Sequence, residues 1–351
     1  MSTKTEKYQK GNNWQKHAYS KMSDYFQDKG VSEFSIPVGG KTPYKHLLTE
    51  SDSKLNFINE AIYNAVIERF SSHKAGDQKR VKINTVASQT YCFNLFVPLQ
   101  LNLALASRLF STLLDKNVEV KHIEIEFTPN QLDSIKEFER HGKDESIGDQ
   151  AAYAGTDADV AVFYKDSKEK KGVILIEFKF IEAEFSMCSS YKKEEVPAIC
   201  NTSNFWDLMV ESKKVNSKGK LLCGYNKYDN WKLTQTSECF DVQKIRDSNV
   251  CPFRFSLNQL WRNMLLSEKV KEARQLNESH FWVFSPKQNN DFLWNNHGEN
   301  IEFQFKSFLS EKGNERFKKY SLEAIISILD TLDLSLAESV WLNELKDRYF
   351  I

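Results

Sequence analysis

Three side chains offer the clearest chemistry in this sequence. Asp159 heads the apolar run DVAVFY (159–164), and Glu177 and Lys179 sit inside the apolar run VILIEFKF (173–180). Both runs read as β-strands from their β-branched and aromatic content. The charged KDSKEKKG between them reads as a turn, so a hairpin is the simplest connection. Centred near 168–169, it sets Asp159 opposite Phe178, beside both Glu177 and Lys179. Residues 177 and 179 share a face by the two-residue strand period. The other face, Ile174, Ile176, Phe178 and Phe180, is predicted to enter the core. Two carboxylates meeting at the ends of neighbouring strands make an oxygen-rich pocket suited to a hard divalent cation. Such a cation can stabilise the charge of phosphodiester attack and lower the pKa of a water. A lysine two residues on can orient that water or neutralise the pentavalent state. E-x-K alone is a weak signal, and the plainer reading is a Glu and a Lys on the solvent face of an edge strand. Against that, a strand apolar except for two charges needs a reason for carrying them.

The surrounding sequence supplies elements to position this hairpin. LNFINEAIYNAVIERF places apolar residues at helical intervals over 55–72. KRVKINTV (79–86) reads as a short strand. Residues 92–114 read as one buried core helix with Pro98 near its true start; Gln100 and Asn102 argue against a membrane helix. Residues 117–127 alternate, with Glu126 on the face of Val118, Val120, His122 and Glu124. PNQLDSIKEFER then looks helical, and 141–158 reads as a polar loop. Helices over 192–209 and 255–273, a strand at 280–286 and two amphipathic C-terminal helices complete the pattern. The expected fold class is α/β, a mixed sheet flanked by helices. Residues 1–50 read as an N-terminal extension or peripheral segment, 51–285 as the core, and 286–351 as a mainly helical C-terminal elaboration of the same domain.

Composition bounds the function. The 351 residues hold 48 Lys plus Arg against 48 Asp plus Glu, which excludes a uniformly basic binder but not a local basic patch. Lys165, Lys168, Lys170 and Lys171, with Lys192 and Lys193, flank the candidate site in sequence. Hydrophobic residues are 40%, too many for a disordered chain. Six cysteines are too few for a disulfide scaffold. Cys188, Cys200, Cys223, Cys239 and Cys251 follow the core without a C-x-x-C, so buried free thiols are the default expectation over a metal role. No P-loop, H-E-x-x-H or G-x-S-x-G occurs. With no apolar leader and no run approaching the length of a membrane span, a cytoplasmic protein with no membrane partner is expected.

Three blocks carry a resemblance: SQTYCFNLFVPL (88–99), GTDADVAVFY followed by ILIEFKFIEAEF, and NQLWRNMLL (258–266). In this order they resemble the PD-(D/E)XK nuclease superfamily, with its restriction-endonuclease-like fold. More narrowly, they resemble a bacterial family of restriction endonucleases of largely unknown target. One departure is Ala87-Ser88-Gln89 where the family pattern has Ser-Ser-Gln. The resemblance implies a metal-dependent DNA endonuclease. Asp159 and Glu177 would hold Mg2+, with Mn2+ as a substitute and the Phe178 carbonyl as a third protein oxygen, and Lys179 would support the attacking water. Asp157 is the rival first acid. Glu126 is an additional acid or a solvent-facing strand residue. Glu182 orients Lys179, binds a second ion, or is a surface glutamate. Gln259 and Arg262 share a helix face, and Arg262 either meets a phosphate or anchors the helix through a salt bridge. The implied partner is double-stranded DNA, with a homodimer where two strands are cut. The competing readings are a non-catalytic nucleic-acid-binding or assembly protein that keeps the fold, and an RNA or repair nuclease.

Overall fold

The computed structural model describes residues 11–72, 78–128, 136–139, 141, 156–192, 195–227, 229–296 and 298–349. Its centre is a five-stranded mixed sheet. β1 (Val118–Phe127), β2 (Ala158–Asp166) and β3 (Lys171–Phe178) run antiparallel, while β4 (Glu278–Ser285) and β5 (Phe317–Ser321) continue parallel to β3. The order β1-β2-β3-β4-β5 makes β3 the middle strand. This explains its composition: a strand buried on both faces loses alternation and reads as one apolar run. Ile174, Ile176, Phe178 and Phe180 enter one core, while Val173 and Leu175 enter a second core on the opposite face. The solvent-facing edge strand is therefore excluded.

The first core is covered by α1 (Asn13–Asp28), α2 (Glu60–Ser72), α4 (Ser88–Leu101) and α5 (Leu103–Leu114), with α3 (Gln78–Ile83) beside them. The C-terminal helices α7 (Leu322–Thr331) and α8 (Leu336–Tyr349) share this face. The second core is built on α6 (Leu257–Ala273), which gives it Leu260, Trp261, Met264 and Leu265. A sheet between two helical layers is the restriction-endonuclease-like α/β arrangement, with a helical C-terminal extension.

Several expected elements differ. Residues 78–83 form helix α3, not a strand, with Val81 inserted into the first core. The apolar run 92–114 is two helices bent by 111°. The break falls at Asn102, whose side chain caps α5 by accepting from Leu105 N at 3.1 Å. Pro98 lies inside α4 rather than at its start. Proline cannot donate to the carbonyl four residues back, and Trp341 Nε1 of α8 donates to that Asn94 carbonyl instead, at 2.9 Å. No single helix among the described residues is long and apolar enough to cross a membrane. The helix expected over 192–209 is replaced by a short helix at Val196–Cys200 and a π-helical turn at Trp206–Glu211. Of the helix expected after Pro129, only a 3-10 turn at Lys136–Phe138 is described, and the rest lies outside the described residues.

Candidate active site

The carboxylates converge where β1 and β3 end and β2 begins. In the hairpin, Val160 pairs with Ile176, so one further step puts Asp159 across from Glu177 rather than Phe178. Main chain and side chain bring the two acids together: Phe178 N donates to Asp159 Oδ2 at 2.6 Å. Glu177 and Lys179 are both buried and form an ion pair of 2.9 Å through Oε1. Lys179 N donates to Phe284 O at 2.8 Å, extending the β3–β4 pairing and holding the lysine backbone.

Glu177 is also gripped from α6. Gln259 Nε2 donates to its Oε1 and Asn263 Nδ2 to its Oε2, each at 2.7 Å. Residues four apart on a helix lie one above the other on one face, so this spacing aims both carboxamides at one carboxylate. Asn263 was not singled out from the sequence, although two carboxamides four apart on one helix, Gln259 and Asn263, were a readable signal. Arg262 turns elsewhere: Nη1 donates to Thr156 Oγ1 at 3.1 Å and Nε to Asn258 Oδ1 at 3.0 Å. It anchors the segment entering β2, beside Asp157. Asp157 is exposed at its surface, yet its carboxyl is raised to about 7, chiefly by desolvation, with Arg262 opposing and Glu177 adding to the rise.

Glu126 is not solvent-facing. A bulge between Val120 and His122 breaks the alternation of β1, and Glu126 itself adopts a left-handed backbone, φ +57°. A non-glycine residue in that region is uncommon and costs of order 1 kcal/mol or more. Here the backbone is over-determined: Arg69 Nη2 donates to the Glu126 carbonyl, and Arg69 Nε to the Ile125 carbonyl at 2.8 Å. The turned side chain is buried, with Oε2 accepting from Gln89 Nε2 at 2.9 Å and Oε1 without a hydrogen-bond partner. Gln89 lies in the first turn of α4, next to Ser88, whose hydroxyl donates to Glu182 Oε1 at 2.7 Å. Glu182 Oε2 accepts from Phe180 N at 2.9 Å, so this glutamate shapes the chain leaving β3.

Crowding shows in the acidities. Burial pushes the Asp159 carboxyl well above the usual range, with Glu177 and Glu126 adding to the rise. Burial likewise raises Glu126 to about 7 against the opposing effects of Gln89 and Arg69. For Lys179, burial alone would lower the ammonium, but Glu177, Glu182 and Asp159 hold it above its usual value.

Among the described residues, no three His, Cys, Asp or Glu side chains stand close enough to hold an ion unaided. Magnesium does not require that, since it keeps several waters and uses one or two carboxylates together with substrate phosphates. The donor set suits it: every candidate ligand is a hard oxygen, one buried Glu126 oxygen lacks a partner, and the Asp159 and Glu126 carboxyls are raised chiefly by burial and further by neighbouring carboxylates, a repulsion that a cation would relieve. The lysines of the hairpin turn do not flank the site in space. Lys165 and Lys171 lie six strand residues from Asp159 and Glu177, about 20 Å along the hairpin, and Lys165 is paired with Glu137 and Glu169.

A family model described as "Restriction Endonuclease associating with ARP" (REase-ARP) matches residues 19–350. Comparison with curated proteins and with solved structures returns no match.

Proposed function

Because the chain belongs to the REase-ARP family, of PD-(D/E)XK type, we propose that it is a magnesium-dependent DNA endonuclease acting in restriction or defence in the cytoplasm. Asp159 and Glu177, with the Phe178 carbonyl, would hold the magnesium ion, and manganese would serve in its place. When bound, the ion supplies positive charge at the scissile phosphate and acidifies a nearby water. The chain's own residues do the rest. Gln259 and Asn263 fix Glu177 in one orientation, so its oxygens are placed before substrate arrives. Lys179 stays protonated, so it donates to water or phosphate oxygen and meets developing negative charge rather than removing a proton. Glu126 offers Oε1 as an acceptor for a water proton, and Glu182 holds Phe180 and the lysine's strand in place. Asp157 and Arg262 set the approach to β2. A homodimer would cut both strands of a duplex.

The observation that carries this reading is the burial of the E-x-K pair at the end of the central strand, joined to Asp159 through Phe178 N. The test is a nicking assay on supercoiled plasmid with magnesium, using wild type, Lys179→Ala and Asp159→Ala. We expect cutting by wild type and none by either folded variant. Unchanged cutting by both variants overturns the site. DNA binding without cutting, across magnesium, manganese and several substrates, favours the non-catalytic reading, for which the existing Glu177–Lys179 pairing would be an end in itself.

A further inference from the structure

The turn joining β2 to β3 and a second turn between β3 and α6 share one backbone design. In the first, DSKEK (166–170), Asp166 Oδ1 accepts from Lys168 N at 2.8 Å and Lys170 N at 2.9 Å, and Asp166 N donates to Lys170 O at 2.9 Å. In the second, NSKGK (216–220), Asn216 Oδ1 accepts from Lys218 N at 2.9 Å and Lys220 N at 3.0 Å, and Asn216 N donates to Lys220 O at 2.8 Å. A side-chain oxygen that accepts from the backbone two residues on is what Asp and Asn offer a turn. The fourth position is left-handed in both, with φ +60° at Glu169 and +71° at Gly219. The flanking residues pair alike, Lys165 with Lys171 and Val215 with Leu221.

The two turns differ in charge. In the first, Asp166 and Glu169 balance Lys168 and Lys170, and Glu169 also pairs with Lys165 at 2.9 Å. In the second, Asn216 and Gly219 hold those positions, and Lys218 and Lys220 go unbalanced. Lys213 and Lys214 lie just before, and no Asp or Glu occurs over 212–228. All four lysines are exposed, and none is in an ion pair with another described residue. Glu211, the nearest acid before them, is already held by Arg246 at 3.1 Å and Trp206 Nε1 at 2.9 Å. Lys82, Lys116, Lys271 and Lys306, by contrast, each have a carboxylate partner. In a chain whose charges sum to zero, this turn is a local surplus of positive charge.

The surplus has a firm base. Lys214 N donates to Leu208 O at 2.9 Å and Leu222 N to Lys214 O at 3.0 Å, so the turn stands on the π-helical turn. Trp206 of that element packs on Trp231, and Trp231 on Trp261 of α6, with ring centroids 5.9 and 4.8 Å apart. The segment that carries the turn leaves β3 beside Glu177. It returns at α6, whose Gln259 accepts from Ser186 N at 2.9 Å while donating to Glu177. Both roots therefore lie at the carboxylate end of the sheet, opposite to the balanced β2–β3 turn.

We propose that Lys213, Lys214, Lys218 and Lys220 form a surface that holds the phosphate backbone of duplex DNA. The proposal rests on reading the carboxylate site as one that acts on DNA. A lysine ammonium meets phosphate as a point charge, and phosphate contacts position a duplex without reading its bases. The four lysines thus supply affinity and not sequence preference.

The test is fluorescence anisotropy of a labelled duplex of about 30 base pairs, without divalent cation, between about 50 and 200 mM salt. One variant carries Lys213→Gln, Lys214→Gln, Lys218→Gln and Lys220→Gln together. We expect at least about tenfold weaker binding at the low-salt end, and a slope of log affinity against log salt shallower by about 3–4, since each neutralised phosphate contributes about 0.9. A second variant, Asn216→Asp with Gly219→Glu, keeps all four lysines and gives this turn the acids of the first, where Glu169 already adopts the left-handed backbone. It should bind several-fold more weakly, and it guards against misfolding as the cause of loss in the first. Lys168→Ala with Lys170→Ala should bind within about twofold of wild type. Unchanged affinity and slope in the first variant overturn the proposal, as does equal weakening by the Lys168 and Lys170 pair, or no binding of duplex by wild type. The plasmid nicking assay judges the carboxylate site separately. Binding that depends on these lysines without any cutting sinks only the catalytic reading, and cutting with binding indifferent to them sinks only this surface.

Discussion

Glu177 receives three donors on two oxygens, from Gln259, Asn263 and Lys179. A carboxylate has roughly four lone-pair sites, so capacity for a cation remains while the side chain is fixed from two sides. Asn263→Leu keeps the size of the residue and removes the donor to Oε2. We expect a loss of about 1–3 kcal/mol in stability from the buried acceptor left short of a partner, read by urea unfolding. We also expect at least a tenfold lower nicking rate, with DNA affinity little changed. An equal loss of rate and affinity would mean that Asn263 shapes the DNA-binding surface rather than Glu177. The pair Glu177 and Lys179 was legible because charges inside an apolar strand demand an explanation. The burial of Glu126 was not, because it depends on a bulge at Lys121 and a left-handed residue, neither of which leaves a mark in hydrophobic alternation. Gln89 was legible only as part of a motif, since its partner lies 37 residues away.

At the scale of elements, β1 to β4 and helices α2, α6, α7 and α8 were readable from periodicity, whereas α1 and β5 were not, and the failures share a cause. Residues 78–83 become helical with Val81 placed in a core built by distant segments, which the local sequence does not show. Residues 92–114 are apolar throughout, so composition could not show the bend at Asn102 or that α8 would supply the donor missing beside Pro98. That compensation is testable. Trp341→Phe keeps most of the buried ring and removes the indole N–H that serves the Asn94 carbonyl. We expect about 1–3 kcal/mol of destabilisation, whereas a value near zero would mean that the carbonyl finds water or another donor. The hairpin turn gives a contrasting expectation. Lys168 and Lys170 are exposed at the end of β2 and β3 remote from Asp159. Replacing both with alanine should leave the nicking rate within about twofold at physiological salt, since charges this far apart are screened beyond a Debye length of about 8 Å. A large loss of rate would place DNA along the hairpin turn.

For the whole molecule, the balance of 48 basic against 48 acidic residues leaves stability and binding to local placement of charge. One such placement ties three elements together at the end of the sheet remote from the carboxylates. Glu278, at the start of β4, accepts from Tyr164 Oη of β2 at 2.9 Å and pairs with Lys116, just after α5. Burial pushes the Glu278 carboxyl up, but His280, Lys116 and Tyr164 together hold it at about 2. An unfolded glutamate titrates near 4.3. A carboxyl depressed in the folded state contributes stability that is fully present above the unfolded pKa and is lost as pH falls toward the folded one. The contribution should therefore be constant near neutrality and decline between about pH 4.3 and pH 2. His280 acts in the same direction, because burial holds its ring below the usual imidazole value, so acid must charge a buried group. We expect Glu278→Gln to cost about 1–3 kcal/mol at pH 7, with the gap to wild type closing as unfolding is measured at successively lower pH. A gap unchanged down to pH 3 would show that packing of the glutamate stem, and not its charge, joins β2, β4 and α5.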